Sequence, residues 1–383
     1  MLETLNEVPW HELTHAYGSA EDVPDLLKGL ASAEKSVCSE ALTELFGNIY
    51  HQGTIYQATG YAIPYLVELL ISEGVEDKGE ILGLLVSIAS GVYREKPEVD
   101  AKEEIVKSYA IFIPFIDSQN EDERIFATIL LSIVHEFRDR SHPLLWQSFK
   151  EEDKLEMKTH LLIGAVLSGD GKVSSHDLML ILDTIRYPAM QLSIAALLLD
   201  RNSKFNHPIL FPLLIESYAE TNKTFDDITV LWSIGDVILS VYDALFLADY
   251  SVLNQYYPQL LTIEPKIRLK TDLGKRMYAY TEYLSLLVKA TFQDQLLLDH
   301  LTLEQTEVVS KASAFYTPTG DSMYDWWLEN EFKNFYNTLK EKLEITKNLG
   351  DFRQELIHFG LNNQPEIRPV GILNSIREWF RFN

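Results

Sequence analysis

Apolar residues recur along the first half of this chain at helical spacing. In residues 24–45, Leu26 and Leu30 fall on one face of a first helix and Ser32 and Glu34 occupy a short polar turn; Val37, Ala41 and Leu45 share a face of a second helix. Pro24 suits a first helical turn, where its missing N–H has no intrahelical partner, and Asp22 just before it reads as an N-cap. A helix pair of this kind cannot bury both of its faces alone, so the pattern predicts neighbours stacked on either side.

The same frame returns 86 residues later as Phe112, Phe115, Ile116, Ser118, Asn120, Arg124, Ala127 and Leu131. Two repeats of about 43 residues fit that interval. Asn120 followed by Glu123 is a further helix-start signal. A fainter copy runs through Ile181, Ile185, Leu192 and Ala196, with Asp200 where an apolar residue is expected. Ala41 and Ala127 are small, as a close helix–helix approach requires.

These positions resemble the HEAT repeat, in which a Pro and two apolar residues precede a polar turn, then Val-Arg, Ala and Leu. Cys38 stands where that family usually carries Arg; Arg124 restores it in the later copy. The resemblance implies an all-α fold, an α-solenoid of HEAT-like hairpins. Longer apolar-periodic segments, Lys266–Phe292 and Tyr324–Leu349, predict a less regular C-terminal helical part. The expected organisation is a solenoid over residues 1–222 and a continuing helical region or cap over 223–383, with one continuous domain as the alternative.

Composition agrees with helices. Hydrophobic residues make up 46% of the 383 residues, enough for a continuous core, and alternating stretches flanked by Asn-Gly or Asp-Gly turns are hard to find. One cysteine excludes an intramolecular disulfide framework. The first residues lack a basic stretch followed by an apolar one, and the apolar runs near Leu161–Leu167 and Ile194–Leu199 are too short to span a bilayer. The expectation is a soluble cytoplasmic protein without a membrane partner.

Charge narrows the partner class. The formal net charge is −24, and residues 1–100 hold 17 acidic against 5 basic side chains, half of the whole imbalance. Such a surface repels a phosphate backbone, which disfavours nucleic acid, and prefers a basic protein or peptide. The exception is Lys266, Arg268, Lys270, Lys275 and Arg276, interspersed with Glu264 and Asp272, which reads as a solvated helix face.

The most catalytic-looking string is His11-Glu12-Leu13-Thr14-His15, followed by Gly18 and Glu21. On a helix, His11 and His15 would share zinc, Glu12 would activate water, and Glu21 would stand where a third ligand is found in the longer metzincin pattern. The downstream Met turn of that pattern is absent until Met157. The same residues fit a second resemblance better. Trp10, His15-Ala16-Tyr17-Gly18 leading to Pro24, then His51-Gln52-Gly53-Thr54-Ile55-Tyr56 and Ile63-Pro64-Tyr65-Leu66 are similar to a group of uncharacterised bacterial HEAT-repeat proteins. That likeness, over residues 8–72, explains His15 and Gly18 without a metal and brings no activity with it.

Asp170–Asp177 has EF-hand-like spacing, but Val166 occupies its first ligand position. Gly169-Asp170-Gly171-Lys172 lacks the hydroxyl of a phosphate loop, since Val173 follows. Cys38, on the second helix of a repeat, reads as packing.

The reading that follows is a non-catalytic protein-binding scaffold without a cofactor, with a toxin-neutralising or regulatory HEAT protein as a special case and a zinc hydrolase through His11, Glu12 and His15 as the enzymatic alternative. Its expected binding positions are His51, Gln52, Thr54 and Tyr56 on an inter-helix connection, with Trp326 and Trp327 near the C-terminus. The aromatics Tyr324, Trp326, Trp327, Trp379, Phe380 and Phe382 are either partner anchors or an end cap.

Overall fold

The computed structural model describes residues 2–76, 78–219, 233–234, 237–238, 241–268, 273–298, 300–318, 320, 322–341 and 343–362. Helices dominate, and the described residues divide into two compact units, with the break at residues 193 and 194. The short hairpin Ser233–Ile234 and Val237–Ile238 falls with the first unit.

In the first unit, helix α1 (Val23–Gly29) is followed by α2 (Lys35–Asn48), α3 (Gln57–Ile71) and α4 (Lys78–Ser90). Then come α5 (Ala101–Lys107), α6 (Tyr109–Phe112), a 3-10 turn Ile113–Asp117, α7 (Glu121–Ile133), α8 (Arg138–Glu151) and α9 (Leu155–Ser168). Helices pack on chain neighbours and, in several cases, on helices further along the chain. α1 lies on α2 and α3, α2 on α4, α4 on α7, and α7 on α8 and α9. Helices α3, α4 and α9 are apolar nearly all round because neighbours cover them on several sides.

The 86-residue periodicity is written in hydrogen bonds as well as in residue types. Ser32 Oγ accepts from the Glu34 N–H at 3.1 Å, and Ser118 Oγ accepts from the Asn120 N–H at the same distance. The Cys38 thiol donates to the Leu30 carbonyl at 3.6 Å, while Arg124 Nε donates to the Ile116 carbonyl at 2.7 Å. Cys38 thus holds the place of the arginine with a weaker donor that still reaches the end of the preceding helix.

Several local expectations need correction. Asp22 does not cap α1 through its side chain, because its carboxylate is taken by His15 and Asn48. On α2 the buried positions are Cys38, Ala41, Leu42 and Leu45, while Val37 is 39% exposed. On α1, Leu27 and Leu30 are buried and Leu26 only half-buried. Asn120 does cap α7, its Oδ1 accepting from the Asp122 and Glu123 N–H groups. Serine 174 and Asp177 form a reciprocal cap on a helix over Ser175–Thr184, so the calcium-like string is a helix start.

Ala41 marks the closest approach of α1 and α2: a Cβ built on Gly29 would lie 2.7 Å from Ala41 Cβ. Ala41→Leu should therefore cost roughly 1–3 kcal/mol by overpacking. Thermal unfolding checks this, and an unchanged midpoint would reject the packing register.

The second unit is built around Leu273–Thr291. That helix packs against Val241–Leu247, Tyr250–Leu253, Tyr257–Thr262, Glu264–Arg268, Leu303–Tyr316 and Ser322–Lys340, and Leu349–Asn362 covers the last two of these. Its core holds Tyr283, Tyr316, Phe332, Phe335 and Phe352. Of the long helix expected over Lys266–Phe292, the described residues are helical through Arg268 and again over Leu273–Thr291, and residues 269–272 lie outside the described ones. The one expected over Tyr324–Leu349 ends at Lys340, after which Glu344 bridges Gln295 and Asn348 caps the next helix. Among the described residues no helix is long and apolar enough to cross a membrane.

Candidate functional site

Two short β-hairpins stand in the first unit, one ahead of α1 and one between α2 and α3. Strand β1 (Thr14–His15) pairs with β2 (Gly18–Ser19), and β3 (Tyr50–His51) pairs with β4 (Thr54–Ile55), both antiparallel. In the second hairpin Gln52 and Gly53 take φ of 48° and 85°, as a two-residue turn of the I′ type requires. A further strand, β5 (Val92–Tyr93), pairs with β4 in parallel. Sequence reading passed over these hairpins because neither turn carries Asn-Gly or Asp-Gly.

His15 joins the first hairpin to the helices. Its ring is buried; Nδ1 accepts from the Tyr17 N–H at 3.0 Å, so Nε2 carries the proton and donates to Asp22 Oδ1 at 2.9 Å. Asp22 Oδ2 accepts from Asn48 Nδ2 at 2.7 Å, and the Ala16 N–H donates to the Asn48 carbonyl. One imidazole thereby ties the hairpin to the start of α1 and the end of α2.

The zinc-like string is not helical. Trp10–Glu12 is a 3-10 turn and Thr14–His15 a strand, so His11 and His15 do not project one turn apart from a helix. His11 and Glu12 are exposed and lie 3.5 Å from each other, Glu21 is exposed, and both ring nitrogens of His15 are engaged. Among the described residues no three His, Cys, Asp or Glu side chains converge as metal ligands.

The accessible surface at this end is formed by Tyr17, His51, Gln52 and Thr54. Tyr17 is 70% exposed, its hydroxyl and His51 Nδ1 share a hydrogen bond of 3.4 Å, and the two rings meet edge to face at 5.5 Å. His51 and Thr54 are half-buried and Gln52 is exposed. Tyr56 stands apart from this surface: it is buried, and its N–H donates to Thr59 Oγ1, whose hydroxyl donates to the Ile49 carbonyl. Tyr17 was the missed member of the group. It was visible only as part of the His-Ala-Tyr-Gly string, and its contact with His51 spans 34 residues.

Next to β4, the Tyr93 hydroxyl accepts from the Ala101 N–H at 2.5 Å and lies 3.5 Å from Asp100. Burial, with the negative charges of Asp100 and Glu103 added, pushes its phenol up to about 12 despite the Ala101 hydrogen bond. Tyr93 is therefore a neutral structural strut at neutral pH. Tyr93→Phe should leave the hairpin surface intact and remove the upward-shifted phenol from a spectroscopic pH titration.

Trp326 and Trp327 belong to the second unit, 61% and 40% exposed, with rings in a T-shaped pair at 5.5 Å. Tyr324 is buried. Trp379, Phe380, Phe382 and Lys270 lie outside the described residues.

No protein-family model matches this chain, and no curated protein does. A crystal structure of an engineered protein, determined by the Northeast Structural Genomics Consortium, is similar over 90% of this chain and 98% of its own, at 14% identity and a TM-score of 0.33. That likeness is too slight to carry an argument.

Proposed function

We propose that the chain is a HEAT-like α-solenoid that works as a non-catalytic protein-binding scaffold for a basic protein or peptide. The observation that carries this reading is the recurrence, 86 residues apart, of one helix–turn–helix unit with the same turn serine and the same bond back to the preceding helix end. A stack of such units offers a long surface with fixed side chains and needs no chemical step. The commitment of His15 to Asp22 and Tyr17 supports a structural role for the histidine string.

The net charge of −24 supports a basic partner, with the exposed Glu40 and Glu44 of α2 among the groups that would meet it. The test is affinity capture followed by mass spectrometry, comparing the native chain with Glu40→Lys/Glu44→Lys. Basic proteins retained in a salt-sensitive manner by the native chain and lost from the variant are the expected result. No partner, or equal retention by both, would reject the reading. Metal analysis gives an independent check: stoichiometric zinc that disappears on changing His11 and His15 would favour hydrolysis instead. Gene neighbourhood separates a toxin-neutralising role from other regulatory ones.

A further inference from the structure

Among the described residues two carboxylates are buried, Glu264 and Glu331. Glu264 has a counter-charge: Lys311 Nζ lies 2.6 Å from its Oε2, and the Tyr280 hydroxyl donates to its Oε1 at 2.8 Å. Glu331, on the helix Ser322–Lys340, is 6% exposed and forms no ion pair with a described residue. Thr281 and Asn334 hydrogen-bond to its carboxyl, yet Oε2 is buried without a hydrogen-bond partner.

The groups packed around Glu331 leave its charge uncompensated. Ser322–Lys340 lies against Leu273–Thr291, Leu303–Tyr316 and Leu349–Asn362. On the first of these Tyr278 is hydrogen-bonded to Glu282, a further carboxylate, and Thr281 shares a hydrogen bond of 3.2 Å with Tyr316 of the second. Burial pushes the Tyr278 phenol up to about 12 and raises that of Tyr316 as well, so both are neutral at physiological pH. On the third, Arg353 holds its guanidinium over the Phe332 ring, 5.7 Å from the centroid. Lys333, on the same helix as Glu331, pairs at 3.8 Å with the exposed Glu329.

A carboxylate taken out of water without a cation is costly, and the group answers by keeping its proton. Desolvation raises the Glu331 carboxyl above the ordinary carboxylate range, and the hydrogen bonds from Thr281 and Asn334 only partly offset it. With a raised folded-state value, the stabilisation is full below the unfolded carboxylate value and is lost as pH rises through the folded one. The sign is opposite to that at an ion-paired carboxylate.

We propose that Glu331 is a proton switch of the second unit: a proton taken from solvent onto its carboxylate seats Ser322–Lys340 against Leu273–Thr291, and loss of that proton to solvent loosens the same helix. The device needs no partner and stands apart from the scaffold reading.

The test is hydrogen exchange of the full chain, followed by mass spectrometry over residues 322–340 and corrected for the intrinsic pH dependence of exchange. Protection there should fall by up to about tenfold per pH unit above the unfolded carboxylate value and level off at the folded one. Glu331→Gln, neutral at every pH and close in shape, should keep the protection constant over the same range. Constant protection in the native chain, or the same fall in Glu331→Gln, would overturn the switch. Should Glu331→Gln fail to fold, carbon NMR of the native chain decides. The Glu331 carboxyl should titrate above the ordinary carboxylate range, and titration within that range would equally reject the proposal.

Discussion

Arg124→Met should destabilise the first unit by about 1–3 kcal/mol, with a matching fall in the denaturant midpoint. Arg124 donates through Nε to the Ile116 carbonyl and through its terminal nitrogen to Glu152, and both side chains of the ion pair are largely buried. Removing the guanidinium strands a carboxylate and a helix-end carbonyl together. The double change Arg124→Met/Glu152→Gln should recover part of the loss, because a buried charge without its partner costs more than the pair contributes.

The pH dependence has a definite sign. Burial pushes the Glu152 carboxyl upward, but the backbone N–H of Lys154 and the Arg124 guanidinium outweigh it and hold the group below the ordinary carboxylate range. A lowered folded-state value means the stabilisation is present above the unfolded carboxylate value and disappears as pH falls through the folded one. The stability gap between native chain and Arg124→Met should therefore be full at neutral pH and shrink in acid. A gap constant down to strongly acidic pH would show that packing of the arginine stem dominates.

Gly60→Ala separates helix propensity from packing. In an isolated helix this change stabilises by about 1 kcal/mol. Here Gly60 lies within α3, and a Cβ on it would come within 1.9 Å of the Val99 carbonyl oxygen and 2.7 Å of its carbon. The obstacle is backbone, so no rotamer change relieves it, and α3 and the segment before α5 must separate. A loss of about 3 kcal/mol is expected, at the upper end of overpacking effects. Thermal or urea unfolding checks it, and a raised midpoint would place residue 99 elsewhere.

These two positions illustrate what was readable beforehand. Arg124 was legible because it belongs to a repeated string whose residues act within eight positions of one another, so the sequence interval is also the bonding interval. Gly60 gave no such signal, since its neighbour Val99 arrives from beyond α4. The same contrast holds at the surface. His51 and Gln52 were marked by their place on an expected inter-helix connection, whereas Tyr17 reached His51 only through hairpin placement, and Tyr56 turned inward once Thr59 capped its helix.

Helical periodicity, the 86-residue recurrence of one residue string and the acidic charge balance were determined by the sequence alone, because each depends on residues near one another in the chain or on composition. Tertiary structure decided that the His11–His15 string is a turn and strand, that Asp22 serves His15 instead of its own helix, and that Glu331 Oε2 is buried without a partner. The reason is common to all three. A buried donor or acceptor takes whichever partner packing brings within reach, and packing joins segments whose separation along the chain carries no periodic signal.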